Sequence, residues 1–389
     1  MRILLYTGKG GVGKTSIAAA TAVSMAAGGK KTMIVSTDAA HSLGDALEMK
    51  VTDKPTKVQE NLWAQEIDVL ASTEKSWGKI QRYFAELLIS QNISSVSADE
   101  LLVFPGLEEL FCILEILKHC QGGEYEAVII DCAPTGETIR LLSFPEVLTW
   151  WLEKIFPLEK SLLKVARPLS KPLLGIPLPP EDALDSIAQL IRQLQEAQQM
   201  LTDQNLTSVR IVMNPEKIVI KEAARSFMYL NLYGFNVDAV IVNKVLPEEG
   251  CGSYFSQWRE LQKTYVAQIQ EQFSPVPVFK VPLFGEEVTG VPALRNMGNV
   301  CFQGRDSIER FYCGQAQRLK QEKDQFVMEL ALPFVSKGEM ALSQQGEELT
   351  FRIGGYKRNI FLPRKLIGRE VVGANLEDGV LAIKFGDRG

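Results

Sequence analysis

The sequence predicts a doubly wound α/β domain, a mostly parallel sheet with helices on both faces, followed by a small all-β domain. Three observations carry this. A β-rich run, Arg2–Tyr6, enters a glycine loop and then an alanine-rich helix at about Lys14–Ala27. Gly28-Gly29 stops that helix before a second strand, Lys31–Ser36. Strand, loop, helix and strand in that order make a parallel βαβ unit. Apolar runs recur at Ala127–Ile130, Val209–Met213, Val237–Val242 and Val276–Val281, with helical patterns at about Pro215–Leu232 and Tyr254–Gln272, so six parallel strands are expected. After about Lys320 the helical period stops. Phe326–Phe334, Glu348–Gly354, Tyr356–Leu362 and Gly379–Phe385 read as short strands separated by Ser-Lys-Gly, Gly-Gly and Glu-Asp-Gly turns, the pattern of a sandwich.

The expected domains are therefore residues 1–320 and 324–389. Two stretches interrupt the α/β rhythm, about 57–123 and 144–201, both helical in pattern and unusually apolar. The second carries prolines at 145, 157, 168, 172, 177, 179 and 180 and cannot be one continuous helix. Both are expected to form a helical subdomain inserted into the core.

Composition narrows the function classes. The 389 residues carry 42 basic and 47 acidic side chains, a net charge of −5, which gives no long-range attraction to nucleic acid or anionic lipid. No apolar run approaches the roughly 20 residues of a membrane span, and Met1-Arg2 leads straight into a strand rather than a signal peptide. The six cysteines include no C-x-x-C pair and read as reduced thiols. A cytoplasmic protein without nucleic-acid binding or stable membrane insertion is expected.

The chemistry lies in the first loop. Gly8-Lys9-Gly10-Gly11-Val12-Gly13-Lys14-Thr15 fits G-x-x-x-x-G-K-[S/T], after a strand and at the opening of a helix that continues with Ser16. Its backbone amides would curl around a phosphate, and the helix N-terminus adds positive charge beneath it. Lys14 would reach the β- and γ-phosphates, and Thr15 offers a hard oxygen to Mg²⁺. The early Lys9 is either a solvated surface lysine or a cation reaching across a two-fold interface to a partner's nucleotide.

Two carboxylates sit at strand ends, where ligands bind in such sheets. Asp38, in Ser36-Thr37-Asp38-Ala39-Ala40-His41-Ser42, is the candidate for orienting an attacking water. Asp131 closes the apolar run Val128-Ile129-Ile130 and would hold a Mg²⁺-bound water. Cys132-Ala133-Pro134-Thr135-Gly136 would then sense the γ-phosphate. The commoner role of either aspartate taken alone is a turn or helix cap. His41 is expected to hydrogen-bond within the switch.

With these motifs, the chain resembles the ArsA-type ATPases, which include the arsenite-pump ATPase and the ATPase that targets tail-anchored membrane proteins. The likeness covers roughly residues 1–320 and rests on G-K-G-G-V-G-K-T, T-D-A-A-H-S, D-C-A-P-T-G-E-T-I-R-L-L (Asp131–Leu142) and V-P-L-F-G-E-E-V-T-G (Val281–Gly290). It implies a Mg·ATP-gated homodimer with Asp38 as catalytic acid and Lys9 acting across the interface. It also implies that Glu216 and Asn243 contact the nucleoside, Asn243 at the adenine edge, and that backbone at Pro282–Leu283 cradles the base.

From about Asp324 the chain resembles the α-crystallin domain of small heat-shock proteins, through Phe326–Pro333, Arg358–Pro363 and Leu376–Ile383. The I-x-I tail through which those proteins assemble is missing after Phe385. Three departures stand out in the ATPase part: Ala39 where the family usually has proline, Glu137 where histidine is common, and one cysteine, Cys251, where the targeting ATPases bind zinc through C-x-x-C. One thiolate per subunit cannot complete a four-coordinate site, so no zinc is expected.

The apolar residues of Leu101–Leu117 and of Leu148–Leu163 admit two readings. Either they pack on each other as core, or they form a groove for an apolar client helix. As functions, a targeting chaperone, an anion-pump energiser and a holdase working through the β-domain remain open.

Overall fold

In the computed structural model the apolar runs line up as the centre of one sheet, since strands covered by helices on both faces must be apolar throughout. The structure describes residues 1–38, 42–67, 107–155, 181–249, 252–314 and, with short gaps, 317–387. The first strands are β1 (Arg2–Thr7), β2 (Thr32–Ser36), β3 (Thr56–Gln59), β4 (Leu62–Glu66) and β5 (Ala127–Asp131). They are followed by β6 (Thr207–Met213), β7 (Val237–Val245) and β8 (Val278–Pro282). The sheet has eight strands in the order β3-β4-β2-β5-β1-β6-β7-β8, all parallel except β3 against β4.

Two of these strands correct the reading of 57–123 as purely helical. The β3–β4 hairpin turns at Asn61, whose φ of 61° lies in the left-handed region that asparagine tolerates. Described helix in that stretch begins only at Leu107.

The helices are α1 (Lys14–Ala27), α2 (Ser42–Leu47), α3 (Leu107–Gln121), α4 (Thr135–Ile155) and α5 (Glu181–Thr202), then α6 (Lys217–Leu232), α7 (Ser256–Gln272) and α8 (Gly290–Phe302). The alanines of α1 let it lie close to its neighbours. At Gly298 of α8 any side chain would collide with Ser24 and the Ala20 carbonyl, so glycine sets how closely α1 and α8 approach. α8 was not among the expected helices, and its Pro292 falls in the first turn, where no backbone donor is needed. α4 and α5 are separate helices, as the prolines require, yet α4 runs through Pro145. Residues 68–106 and 156–180 lie outside the described residues, and with them parts of both apolar stretches. Of those that are described, Leu110, Phe111, Ile113, Ile116, Leu117 and Leu148 are buried.

The C-terminal strands are β9 (Gln317–Glu322), β10 (Gln325–Ala331), β11 (Met340–Gln345), β12 (Glu348–Ile353), β13 (Tyr356–Phe361), β14 (Arg369–Glu377) and β15 (Val380–Asp387). They form two antiparallel sheets, β14-β15-β10-β9 and β11-β12-β13. β9, β11 and β14 were not read from the sequence, and each is an edge strand with polar residues. β9 begins before 320 and pairs with β10.

The sandwich core does not close on itself. Leu330, Phe351, Leu381 and Phe385 pack in one cluster with Ile139 of α4 and Met228, Tyr229 and Leu232 of α6. Arg358 reinforces the join, its guanidinium 4.7 Å from the Tyr233 ring centre and 3.3 Å from the Glu146 carboxylate.

Arg210 of β6 is fully buried. It donates to Asp238 (3.1 Å), to the Tyr6 hydroxyl (3.0 Å) and to the Glu309 carbonyl (3.0 Å), and stacks on Phe311. Asp238 also faces Arg2 at 3.8 Å. Asp238→Ala is expected to destabilise the fold by about 3–5 kcal/mol, because a guanidinium is then buried without its counter-ion. Chemical denaturation checks this, and a loss below about 1 kcal/mol would contradict it.

Candidate functional site

Strand register builds the site. Asp131 pairs level with Tyr6 of β1 and with Ser36 of β2, so the glycine loop, Asp38 and the loop after Asp131 leave the sheet side by side at its carboxyl edge. Two hydrogen bonds stitch the last two together: Thr37 N–H to the Asp131 carbonyl (3.0 Å) and Ala133 N–H to the Thr37 hydroxyl (3.4 Å).

The loop is held from below. At Gly8, φ is 156° and a Cβ would drive into the Val212 carbonyl, so no other residue fits there. From β7, the buried Asn243 amide donates to the Val12 carbonyl (2.9 Å) and Lys244 Nζ to the Gly11 carbonyl (3.0 Å). Asn243 thus braces the loop, a contact its position at a strand end does not announce. Lys244 was missed altogether, because a lysine after an apolar strand carries no spacing signal.

The loop rims a cavity of about 510 Å³. Gly10, Gly11, Gly13, Lys14, Thr15, Ser16, Asp38, Asn243, Pro282 and Leu283 line it, together with Asp45 and with Ser42 and residues 286–289, which lie in the sequence motifs but carried no assigned role there. The volume lies in the range of small-molecule sites. Lys14 is buried, its ammonium 3.3 Å from the Lys9 carbonyl. The Thr15 hydroxyl lies 3.2 Å from that of Ser42.

Five expected site residues lie outside the lining. Gly8 and Val12 form the inner side of the loop. Glu216 stands at the N-terminus of α6 beside the Asn214 amide (3.5 Å). Lys9 turns back within its own chain toward Glu222 of α6 (3.8 Å). Asp131 lies beneath the loop, fully buried. Ala39, His41 and Cys251 are outside the described residues. Glu137 is exposed, 4.0 Å from Arg140.

Asp131 is the electrostatic anomaly of the site. Among the described residues neither of its oxygens makes a hydrogen bond of normal geometry. Burial raises its carboxyl to about 7, although the nearby Thr15 hydroxyl and Lys14 ammonium favour the charged form. A buried carboxylate lacking partners, next to a hard hydroxyl oxygen and a phosphate-shaped loop, fits a hydrated divalent cation such as Mg²⁺. The buried thiols shift in the same direction: burial pushes Cys112, Cys120 and Cys301 up to about 12, leaving them protonated and unreactive.

Comparison with known proteins agrees with this geometry. Residues 1–303 match the family model of the anion-transporting ATPases, and residues 323–385 match that of the HSP20-like domain found in ArsA. A putative arsenical pump-driving ATPase of Chlorobaculum tepidum is 39% identical over 391 residues, spanning 99% of this chain and 96% of its own. A similarly named protein of Aquifex aeolicus is also 39% identical, over 98% of this chain and 99% of its own. ATPase GET3 of Podospora anserina is 32% identical over 77% of this chain and 90% of its own.

Proposed function

Because the chain belongs to the anion-transporting ATPase family and hydrolyses ATP, we propose that it works as a Mg²⁺-dependent, nucleotide-gated homodimer. In this reading it is a cytoplasmic chaperone or targeting factor that binds apolar protein segments, with transmembrane segments as the candidate clients. The observation that carries the nucleotide part is the convergence of three strand ends at one edge of the sheet: the β1 loop and Asp38 after β2 line the cavity, and Asp131 closing β5 lies buried level with them.

Each side chain has a task in the hydrolysis. Loop amides and Lys14 grip the phosphates, Lys9 adds a second ammonium, and Asp38 orients the attacking water and accepts its proton. Thr15 and, through water, Asp131 would hold Mg²⁺, which would supply charge neutralisation to the phosphates. Asn243 and the Pro282–Leu283 backbone flank the nucleoside, with Glu216 reaching it only in the closed assembly.

Support for a dimer comes from the carboxyl edge of the sheet. Ile218, Tyr254, Phe255, Trp258 and Leu283 are all exposed on segments leaving β6, β7 and β8, and apolar side chains grouped on one edge seek a partner surface. Lys9 lies on the same edge, within reach of a facing subunit.

The test is sedimentation of the full chain with a fluorescent transmembrane peptide, with and without Mg·ATP. Doubling of mass with ATP, and peptide binding that depends on it, is the expected result. A monomer in every nucleotide state, or peptide binding indifferent to ATP, would refute the proposal. Retained suppression of client aggregation by Lys14→Ala would instead favour a holdase acting through the sandwich. The names of the 39%-identical relatives keep an anion-pump role as a second reading, for which arsenite should stimulate turnover. The protonated, buried thiols weigh against a thiolate site for it.

A further inference from the structure

Glu222 is a carboxylate to which no sequence motif points, yet it contacts two separate elements of the site. It projects from the second turn of α6. One of its oxygens accepts the Thr135 hydroxyl at 3.1 Å, and the other lies 3.8 Å from the Lys9 ammonium. Thr135 is buried and is the first residue of α4, directly after the loop that follows Asp131. Lys9 is the second residue of the phosphate loop. A single side chain therefore joins the loop that grips phosphate to the helix that leaves the Asp131 switch.

The charge balance gives this junction a direction. The cavity is lined by Gly10, Gly11, Gly13 and Lys14 but not by Lys9, whose ammonium instead points at the carboxylate. Both partners are half-exposed, so the pair is weak and can be broken by a stronger anion. A triphosphate is that anion. We propose that Glu222 is a positioning residue for ATP hydrolysis: it parks the Lys9 ammonium away from the phosphates and yields it when nucleotide binds. The proposal rests on the reading above in which Lys9 serves the phosphates. Apparent nucleotide affinity is then reduced by the fraction of molecules in which Lys9 is parked. The Thr135 contact is separable from this effect, because an amide oxygen accepts the same hydroxyl.

Steady-state hydrolysis by the full chain tests the proposal through the split between KM and kcat. Glu222→Gln keeps the acceptor for Thr135 and removes the charge. It should lower KM for ATP about two- to fivefold, the range of an exposed ion pair, with kcat unchanged. Glu222→Asp, which keeps the charge, should return KM toward the parent value. Lys9→Met should raise KM, and adding Glu222→Gln to it should change nothing further. If Lys9→Met leaves KM at the parent value, the phosphate role of Lys9 falls and the parking role with it. If Lys9→Met raises KM but Glu222→Gln does not lower it, the parking role alone is overturned. An equal fall in KM when Glu222→Gln is placed on Lys9→Met also overturns it, because the carboxylate would then act through its own field.

Discussion

Asp38→Asn is expected to lower ATP turnover by about 10²–10⁴-fold while leaving nucleotide affinity within a few-fold of the parent. The magnitude is that of losing a positioned general base. The separation of the two effects follows from the geometry. Asp38 lies on the segment leaving β2, whereas the amides and ammonium proposed to hold phosphate belong to the loop leaving β1. The substitution is nearly isosteric and half-exposed, so the fold has no reason to respond. Calorimetric titration with Mg·ATP and phosphate-release kinetics check the two halves. Turnover at the parent rate would remove Asp38 from the reaction, and loss of binding would make it a phosphate-site residue instead.

Asp131→Asn should act in opposite directions on function and stability. In the proposed role, removing a carboxylate that holds Mg²⁺ through water should cost roughly 10–100-fold in metal affinity or activity. Yet the folded chain should become harder to unfold. Its carboxyl titrates near 7 because burial disfavours the charge, against an ordinary value of 3.8. Below about pH 4 both states are protonated and the group costs nothing. As pH rises from about 4 to 7 the unfolded chain ionises first, so stability falls, and above 7 the full penalty of up to about 4 kcal/mol remains. Asparagine avoids the charge but leaves an amide without partners, which returns part of the gain. The expected net stabilisation is about 1–3 kcal/mol at pH 8 without nucleotide, vanishing near pH 4. Denaturant unfolding at the two pH values measures it. A variant equally or less stable at pH 8 would show that the carboxylate is not strained by its surroundings.

A residue that weakens the fold while serving the reaction is what a site built for a charged ligand requires. The proposed exchange of Glu222 for phosphate at Lys9 follows the same logic, since a half-exposed ion pair stabilises the fold little.

How much of this was readable depends on the physics behind each signal. The central strands announced themselves because double-sided burial demands unbroken apolar runs, and the glycine loop because its backbone path admits few residue types. The edge strands β3, β9, β11 and β14 gave no such signal. Gln317–Glu322 is polar at five of six positions; its strand exists through pairing with β10, which no local pattern reveals. α8 escaped for a similar reason, since its glycines and proline lower local helix preference while packing on α1 sustains it.

The sequence by itself determined the βαβ core, the phosphate loop, the two strand-end aspartates and a separate β-rich end, because each depends on periodicity or on backbone conformations that few residues adopt. Only the tertiary structure decided that Asn243 and Lys244 brace the loop from 231 and 233 residues away in the chain. It alone decided that Glu222 joins Lys9 to Thr135, and that the sandwich seats its core on α4 and α6. These are contacts between side chains of ordinary type, distant in sequence, and their pairing is set by how the layers stack rather than by anything local to either partner.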